Sequence, residues 1–180
     1  MSTLRLALIQ MNIEAGNPDA NYAKMEKLFR EAASAEPKPD VVVLPEMWNT
    51  GYSLRNIGEL ADPRGERTIA LLSALCREYG VNAVAGSIAQ RGDDDGGVTN
   101  TIHMFGRDGA PIGQYSKIHL FKLMDEHLHL QAGERPGRFE LEGVPAAAMI
   151  CYDIRFPELA RKLALDGARI LFVPAEWPHP

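Results

Sequence analysis

Residues 41–44, Val-Val-Val-Leu, constrain the fold more than any other feature of this chain. A short apolar run without polar interruption is typical of a β-strand that is covered on both faces. An amphipathic helix pattern precedes it, with Asn17 as its cap and Pro18 at its first position. A second helix is predicted over Glu66–Tyr79, closed by Gly80. This alternation predicts an α/β fold in which helices cover a mixed sheet.

Further apolar segments predict the remaining strands. They lie at residues 4–10, 81–88, 98–105, 112–115, 139–141, 144–150 and 169–173. Hairpin turns are predicted at residues 92–97 and at Asp108-Gly109. The acidic turn at 92–97 lacks the ligand spacing of a calcium-binding loop, so a solvated hairpin is the favoured interpretation. The segment 116–137 is predicted to be a long loop, and such loops tend to be functional or disordered.

The composition is that of an ordinary globular protein. With 180 residues, 46% of them hydrophobic, the chain can bury a sizeable core, so residues 1–180 are predicted to form a single domain. A net charge of −5 without a basic stripe argues against nucleic acid as a partner, and no apolar run approaches the length of a membrane span. Cys76 and Cys151 have neither disulfide nor metal-ligand spacing, so a reducing cytoplasm is the expected location.

Cys151 lies where a predicted buried strand ends and a helix begins. Pro157 suits the first position of that helix, which is predicted to run to about Asp166. A thiol on such a turn faces a cleft, close to backbone N–H groups that favour a thiolate. Most free cysteines are packing residues, and we interpret Cys76, among the leucines of an amphipathic helix, in that way. Cys151 is instead a candidate nucleophile.

Glu46 is the second candidate, because it directly follows the strand at residues 41–44 and Pro45. In an α/β sheet, ligands bind at the carboxyl ends of the strands, where this carboxylate could serve as a general base. The aromatic residues Trp48 and Tyr52 flank it and are predicted to wall the site from water. The alternative is an ordinary surface glutamate in a loop.

Lys117 is the third candidate. It follows a predicted strand and can project into the same crevice, where an ammonium group would hold an oxyanion electrostatically. A lone lysine is more often a solvated surface residue.

Several histidines and carboxylates near Lys117 raise the alternative of a metal site. These residues are His119, Asp125, Glu126, His127 and His129. Their spacing matches no recognised zinc pattern. Metal binding is therefore the less favoured interpretation of this segment.

Three motifs together resemble the nitrilase superfamily of carbon–nitrogen hydrolases, and in particular its omega-amidase-like branch. They are L-P-E at Glu46, Y-x-K-x-H-L-F at Lys117 and C-Y-D-x-R-F-P-E at Cys151, in that order. The resemblance extends over essentially the whole chain. It implies an α-β-β-α sandwich that assembles as a homodimer. It also implies a hydrolase that releases ammonia from a small linear amide, here the monoamide of a 2-oxo-dicarboxylic acid.

The resemblance also implies roles for single residues. Glu46 would be the general base, Lys117 the cation that stabilises the oxyanion, and Cys151 the nucleophile that forms a thioester. A second glutamate is expected at Glu126, with Asp125 as the less favoured alternative. No metal or organic cofactor is required. Residues expected to bind the oxyanion or the substrate are Tyr152, Trp48, Tyr52 and Arg155.

Arg155 has two interpretations, since it could bind a substrate carboxylate or pair structurally with Asp153 and Glu158. Family members continue beyond the point at which this sequence ends, at residues 177–180. Because that ending would leave an apolar sheet edge uncovered, we expect a chain that lacks the C-terminal part of the fold, rather than a natural short form. The alternative functions are a nitrilase or N-carbamoyl hydrolase with the same triad, and a non-catalytic binding module that retains the motifs.

Overall fold

A computed structural model describes residues 3–93 and 97–177. The predicted hairpin turn at residues 92–97 and the last residues, 178–180, lie wholly or partly outside the described residues. The described strands are β1 (Leu6–Leu8), β2 (Val41–Val43), β3 (Asp62–Pro63), β4 (Asn82–Val84), β5 (Ile88–Arg91), β6 (Val98–Phe105), β7 (Pro111–Ser116), β8 (Gly137–Leu141), β9 (Val144–Ala148) and β10 (Ile170–Phe172). The described α-helices are α1 (Pro18–Ala33), α2 (Ile57–Leu60), α3 (Glu66–Tyr79), α4 (Glu126–His129) and α5 (Pro157–Leu165).

The strands form two mixed sheets. The larger sheet has the order β1-β2-β4-β6-β5-β3, and β7 pairs with the free side of β6 outside that path. Its strands β1, β2 and β4 are parallel, whereas β6 runs antiparallel to β4, β5 and β7. The smaller sheet has the order β10-β9-β8, with β9 and β10 parallel. The carboxyl ends of the parallel strands β9 and β10 therefore share one edge of this sheet.

The two sheets pack face to face, and helices cover their outer faces. Phe29 of α1 and Leu72 of α3 pack with Val42 against one face of the larger sheet. The opposite face meets the smaller sheet in a second apolar cluster, which includes Val84, Ile102, Met104, Phe139, Ala148 and Phe172. The outer face of the smaller sheet packs on α5 through Leu159 and Leu163. The α-β-β-α sandwich implied by the resemblance is confirmed.

The single strand predicted at residues 81–88 is wrong, because the chain forms β4 and β5 with a sharp turn between them. Gly86 has a φ of +58°, and a Cβ there would lie 2.0 Å from the carbonyl oxygen of Pro45. Ser87 donates its N–H to the same carbonyl over 3.0 Å and accepts the Met47 N–H on its hydroxyl oxygen over 3.0 Å. The turn thus holds the loop that follows β2, a contact between distant segments that apolar patterning does not reveal.

The segment 116–137 is ordered and compact, unlike the long loop that the sequence predicts. It contains a 3₁₀ turn at Lys122–Met124 and the short helix α4. Gly133 lies against the chain just after β7 and donates its N–H to the Lys117 carbonyl over 2.8 Å. The segment therefore folds back on the strand end that carries Lys117.

Candidate active site

Four side chains from separate segments meet at one end of the sandwich. Glu46 follows β2, Lys117 follows β7, Glu126 opens α4 and Cys151 follows β9. All four are buried, with exposed fractions between 0% and 8%. Lys117, Glu126 and Cys151 line a narrow cavity whose aromatic walls are Tyr52, Phe121, Tyr152 and Trp177. The structure thus brings together the three motifs that lie far apart in the sequence.

The Glu46 carboxylate is held by hydrogen bonds on both oxygens. Oε1 accepts the Tyr52 hydroxyl over 2.5 Å, the Lys117 ammonium over 3.0 Å and the Asn100 side-chain amide over 3.1 Å. Oε2 accepts the backbone N–H of Glu176 over 2.9 Å. With so many donors, the carboxylate has a fixed orientation before any ligand enters.

Lys117 forms a fully buried ion-pair triad with two glutamates. Its Nζ lies 3.0 Å from Glu46 Oε1 and 2.8 Å from Glu126 Oε1. Burial alone would lower the pKa of Lys117, but the two carboxylates outweigh that effect and raise it. Lys117 therefore remains an ammonium group, with two of its three N–H donors used.

Sequence analysis left Asp125 as an alternative to Glu126 for the second carboxylate, and the structure distinguishes the two. Glu126 is fully buried, and its Oε2 accepts the Phe121 backbone N–H over 2.7 Å while Oε1 faces Lys117. Asp125 is exposed and adopts a left-handed backbone conformation, with φ of +59°. Glu126 is thus the second glutamate in contact with the lysine.

Cys151 occupies a turn with a backbone conformation unusual for a residue with a side chain. Its φ is +42°, in a region that costs on the order of 1 kcal/mol for such a residue. The Cys151 N–H donates to the Pro174 carbonyl over 2.9 Å, which holds this conformation at the edge shared by β9 and β10. The thiol lies close enough to the Glu46 carboxylate to be affected by its negative charge.

The expectation that this turn favours a thiolate at rest is wrong. Burial first, and then the negative charge of Glu46, raise the pKa of the Cys151 thiol to about 12. The positive charge of Lys117 and the Glu176 N–H act in the opposite direction but are weaker. Cys151 therefore rests as a thiol beside a carboxylate that can take its proton.

Asp153 fastens the cysteine turn to the lysine segment, a role that the sequence did not predict. Its Oδ2 accepts the Tyr115 hydroxyl over 2.6 Å and the Ile150 N–H over 2.9 Å. Its Oδ1 accepts the backbone N–H of His119 over 2.9 Å and lies 2.7 Å from His119 Nδ1. The signal available in the sequence was an acidic residue two positions after the cysteine, within the turn itself. Asp153 is fully buried, so its contacts link two motifs that are distant in sequence.

Trp48 does not wall the site, which corrects the prediction. Met47 has a φ of +50°, and this sharp turn directs Trp48 away from the cavity into the core beneath α1. There the indole N–H donates to the Ala85 carbonyl over 2.8 Å, and the ring packs edge-on against Tyr22 at 4.9 Å. Tyr52, by contrast, lines the cavity and contacts Glu46.

Tyr152 and Arg155 both lie at the cavity. The Tyr152 ring packs against Phe121 with 4.7 Å between ring centroids. The Arg155 guanidinium lies 5.8 Å from the centre of the Trp177 ring, and the residue is exposed. Asp153 bonds elsewhere, so the structural ion pair considered for Arg155 with that residue is not formed.

Two further residues contact Glu46 and were missed. Asn100 lies within β6, where nothing in the local pattern marks it as part of a site. Glu176 follows β10 and lines the cavity. Its signal was its position after a strand parallel to the one that carries Cys151, because such strand ends share an edge.

The histidines considered as metal ligands have different surroundings. His119 is engaged by Asp153 and stacks on Phe156 with 3.7 Å between ring centroids, while His127 is exposed. Within residues 3–93 and 97–177, no group of three or more histidine, cysteine or acidic side chains is arranged to hold a metal ion. No helix in the same part of the chain has the length and apolarity needed to cross a membrane.

Comparison with known proteins gives consistent results. The carbon-nitrogen hydrolase family model matches residues 5–180. The 2-oxoglutaramate amidase of Bacillus subtilis is 47% identical over 175 residues, which cover 97% of this chain and 66% of that relative. The human omega-amidase NIT2 is 33% identical over 184 residues, with 98% of this chain and 65% of the relative covered. The chain thus spans about two thirds of the length of the curated relatives it matches.

Solved structures show the same architecture. Saccharomyces cerevisiae Nit3, a member of branch 10 of the nitrilase superfamily, superposes with a TM-score of 0.87 at 26% identity and covers 97% of this chain and 65% of its own. XC1258 from Xanthomonas campestris, a CN-hydrolase superfamily protein, gives a TM-score of 0.85 at 29% identity, covering 99% of this chain and 66% of its own. With the family model matching nearly all of the sequence, this chain belongs to the carbon–nitrogen hydrolase family.

Proposed function

We propose that this chain carries the Glu–Lys–Cys site of an amidase that releases ammonia from a small linear amide. The observation that supports it best is that Glu46, Lys117 and Cys151 meet in one buried site, where the Glu46 carboxylate accepts the Lys117 ammonium over 3.0 Å and its negative charge acts on the Cys151 thiol. A thiol, a carboxylate base and a buried cation in one site are the groups that thioester chemistry requires.

Acylation begins with transfer of the thiol proton to Glu46 as Sγ of Cys151 attacks the amide carbonyl carbon. A base is needed for this step, because burial and the charge of Glu46 raise the pKa of the Cys151 thiol and keep it protonated at rest. The third N–H of Lys117 and the backbone N–H of Tyr152 stabilise the resulting oxyanion. When the tetrahedral intermediate collapses, the C–N bond breaks and Glu46 returns the proton to the departing ammonia. The acyl group remains on Cys151 as a thioester.

Deacylation uses the same carboxylate. Glu46 takes a proton from a water molecule, whose oxygen attacks the thioester carbonyl carbon. The C–S bond then breaks, the carboxylic acid product leaves and the proton returns to Cys151. Glu126 positions Lys117 throughout, because its Oε1 holds the ammonium over 2.8 Å. No step in this sequence calls for a metal or an organic cofactor.

The proposed substrate is the monoamide of a 2-oxo-dicarboxylic acid, the substrate class named for the Bacillus relative. Arg155 lies at the cavity beside Trp177 and supplies a cation for the carboxylate end of such a molecule. Nitriles, N-carbamoyl compounds and other linear amides are the competing substrates. We expect ammonia release from a 2-oxo-acid monoamide to exceed that from a nitrile, an N-carbamoyl amino acid and a neutral amide, each assayed at equal concentration. Preference for another member of the panel would reassign the substrate.

A non-catalytic binding module is distinguished by thiol labelling. If Glu46 serves as a base for Cys151, an uncharged alkylating agent should label Cys151 much faster than Cys76 near neutral pH. Equal, slow labelling of the two thiols would favour the non-catalytic module.

We further propose a single domain over residues 1–180, a cytoplasmic location and assembly into a homodimer, without nucleic acid or membrane as partner. The mass of the intact protein in solution tests the oligomeric state.

A further inference from the structure

The cavity contains one carboxyl group that the proposed reaction does not use. Glu176 follows β10, and its backbone N–H donates to Glu46 Oε2 over 2.9 Å. Glu176 lines the cavity, and its side-chain oxygen Oε2 is buried without a hydrogen-bond partner among the described residues. Leaving a buried carboxyl oxygen unpaired is unfavourable, so a ligand atom is the expected partner.

Titratable groups surround this carboxyl group in the cavity. The titratable side chains that line the same cavity are Tyr52, Lys117, Glu126, Cys151, Tyr152 and Arg155, and Glu46 lies directly behind them. Lys117 is paired with Glu46 and Glu126, and Arg155 lies over Trp177. Burial first, and then the negative charge of Glu46, raise the pKa of Glu176 to about 7. Near neutral pH, the carboxyl therefore carries a proton for part of the time and can then donate a hydrogen bond.

We propose that Glu176 is a specificity-determining residue, which donates its carboxyl O–H to a substrate oxygen beyond the scissile amide. When ionised, the same group faces the substrate with a negative charge and repels an anionic molecule. The site would thus bind 2-oxo-acid amides better when Glu176 is protonated, whereas a neutral amide would be almost indifferent to its charge. This inference rests on the proposed amidase function.

The test compares the intact wild-type protein with Glu176→Gln, which keeps a donor of similar size but does not titrate. Ammonia release is measured from pH 6 to 8 with a 2-oxo-acid monoamide and with a neutral amide of equal length. Wild-type kcat/KM for the anionic amide should fall by about tenfold over this range relative to the neutral amide, as one group with a midpoint near 7 titrates. Glu176→Gln should remove that difference. Exposed Glu140→Gln is the matched control and should behave as wild type.

Binding to a Cys151→Ala background provides a readout that does not need turnover. The affinity for the anionic amide should weaken about tenfold between pH 6 and 8, and Glu176→Gln in that background should abolish the change. An unchanged pH dependence in the Glu176→Gln variants would overturn the assignment, as would equal effects on anionic and neutral amides. Absence of ammonia release from every amide by wild type would instead contradict the proposed function, while the binding result would still decide the role of Glu176.

Discussion

The two cysteines of this chain are both buried, but in regions built from different chemistry. Cys76 belongs to the helix-facing core, the apolar cluster between the helices α1 and α3 and the larger sheet, which also contains Trp48, Phe29 and Leu72. Cys151 belongs to the charged site at the end of the sandwich. Both thiols have pKa values raised to about 12. For Cys76 burial is the cause, whereas for Cys151 the charge of Glu46 adds to burial.

A raised pKa therefore does not by itself distinguish the proposed nucleophile from the other thiol. The two thiols are alike in their resting protonation, but the charges of Glu46 and of Lys117, which pairs with Glu46, act on Cys151, whereas burial alone raises the pKa of Cys76. The helix-facing core gains stability from apolar burial. The charged site holds Glu46, Lys117 and Glu126 away from water, an arrangement that is stable only while all three partners are present.

The largest expected effect separates the two thiols directly. Cys151→Ala should reduce ammonia release on the order of 10⁴-fold or more, because it removes the proposed nucleophile. Cys76→Ala should leave kcat/KM nearly unchanged and lower the free energy of unfolding by about 1 kcal/mol, since it removes one buried sulfur atom. Steady-state kinetics and urea denaturation of both variants provide the measurement. Substantial turnover by Cys151→Ala would contradict the proposed mechanism.

The base should affect one thiol and not the other. Glu46→Gln removes the negative charge that helps to raise the pKa of Cys151, so the midpoint for alkylation of Cys151 should move to lower pH. That of Cys76, where burial acts alone, should stay in place. Turnover should fall by about 10²–10⁴-fold, because general base catalysis is lost. Mass spectrometry after pulse alkylation reports both thiols in one sample.

A shift of both midpoints in Glu46→Gln, or of neither, would contradict the assignment of Glu46 as the group that controls Cys151.

The cation should matter for stability as well as for chemistry. Lys117→Met leaves the carboxylates of Glu46 and Glu126 buried without a positive charge, and should destabilise the fold by about 3–5 kcal/mol near neutral pH. The double variant Lys117→Met/Glu126→Gln should recover part of this loss, because one of the uncompensated charges is gone. Urea denaturation measures both values. If the double variant is less stable than Lys117→Met, the uncompensated charge of Glu126 is not the cause of the loss of stability.

The smallest effect compares two aromatic residues of one loop. Tyr52→Phe removes a hydrogen bond to the Glu46 carboxylate and should lower kcat/KM by about tenfold to a hundredfold with little loss of stability. Trp48→Phe should do the reverse. It loses the bond to Ala85 and some packing, which should cost about 1–3 kcal/mol of stability, while kcat/KM stays close to wild type. Steady-state kinetics and thermal unfolding of both variants provide the measurement. A kinetic defect in Trp48→Phe but not in Tyr52→Phe would contradict the placement of Tyr52 at the cavity and of Trp48 in the core.

Much of the fold was predictable because its signals are local. The capped helix that begins at Pro18, the helix Glu66–Tyr79 and the strand before Glu46 each follow from short-range periodicity and from caps. The break at Gly86 was not predictable in this way. Its backbone turns to meet the Pro45 carbonyl, and residues 81–88 carry no pattern that specifies a partner so distant in the chain.

The sequence by itself determined the residue types of the candidate site, a glutamate, a lysine and a cysteine that each follow a strand, and a family resemblance that the comparisons confirm. Only the tertiary structure decided which further groups join these three residues and which do not. It directed Trp48 into the core, engaged Asp153 with two motifs, and brought Glu176 beside Glu46. The physical reason is that residue types and strand ends are encoded locally. Burial, backbone turns at positive φ and hydrogen bonds between distant segments exist only once the sheets have packed.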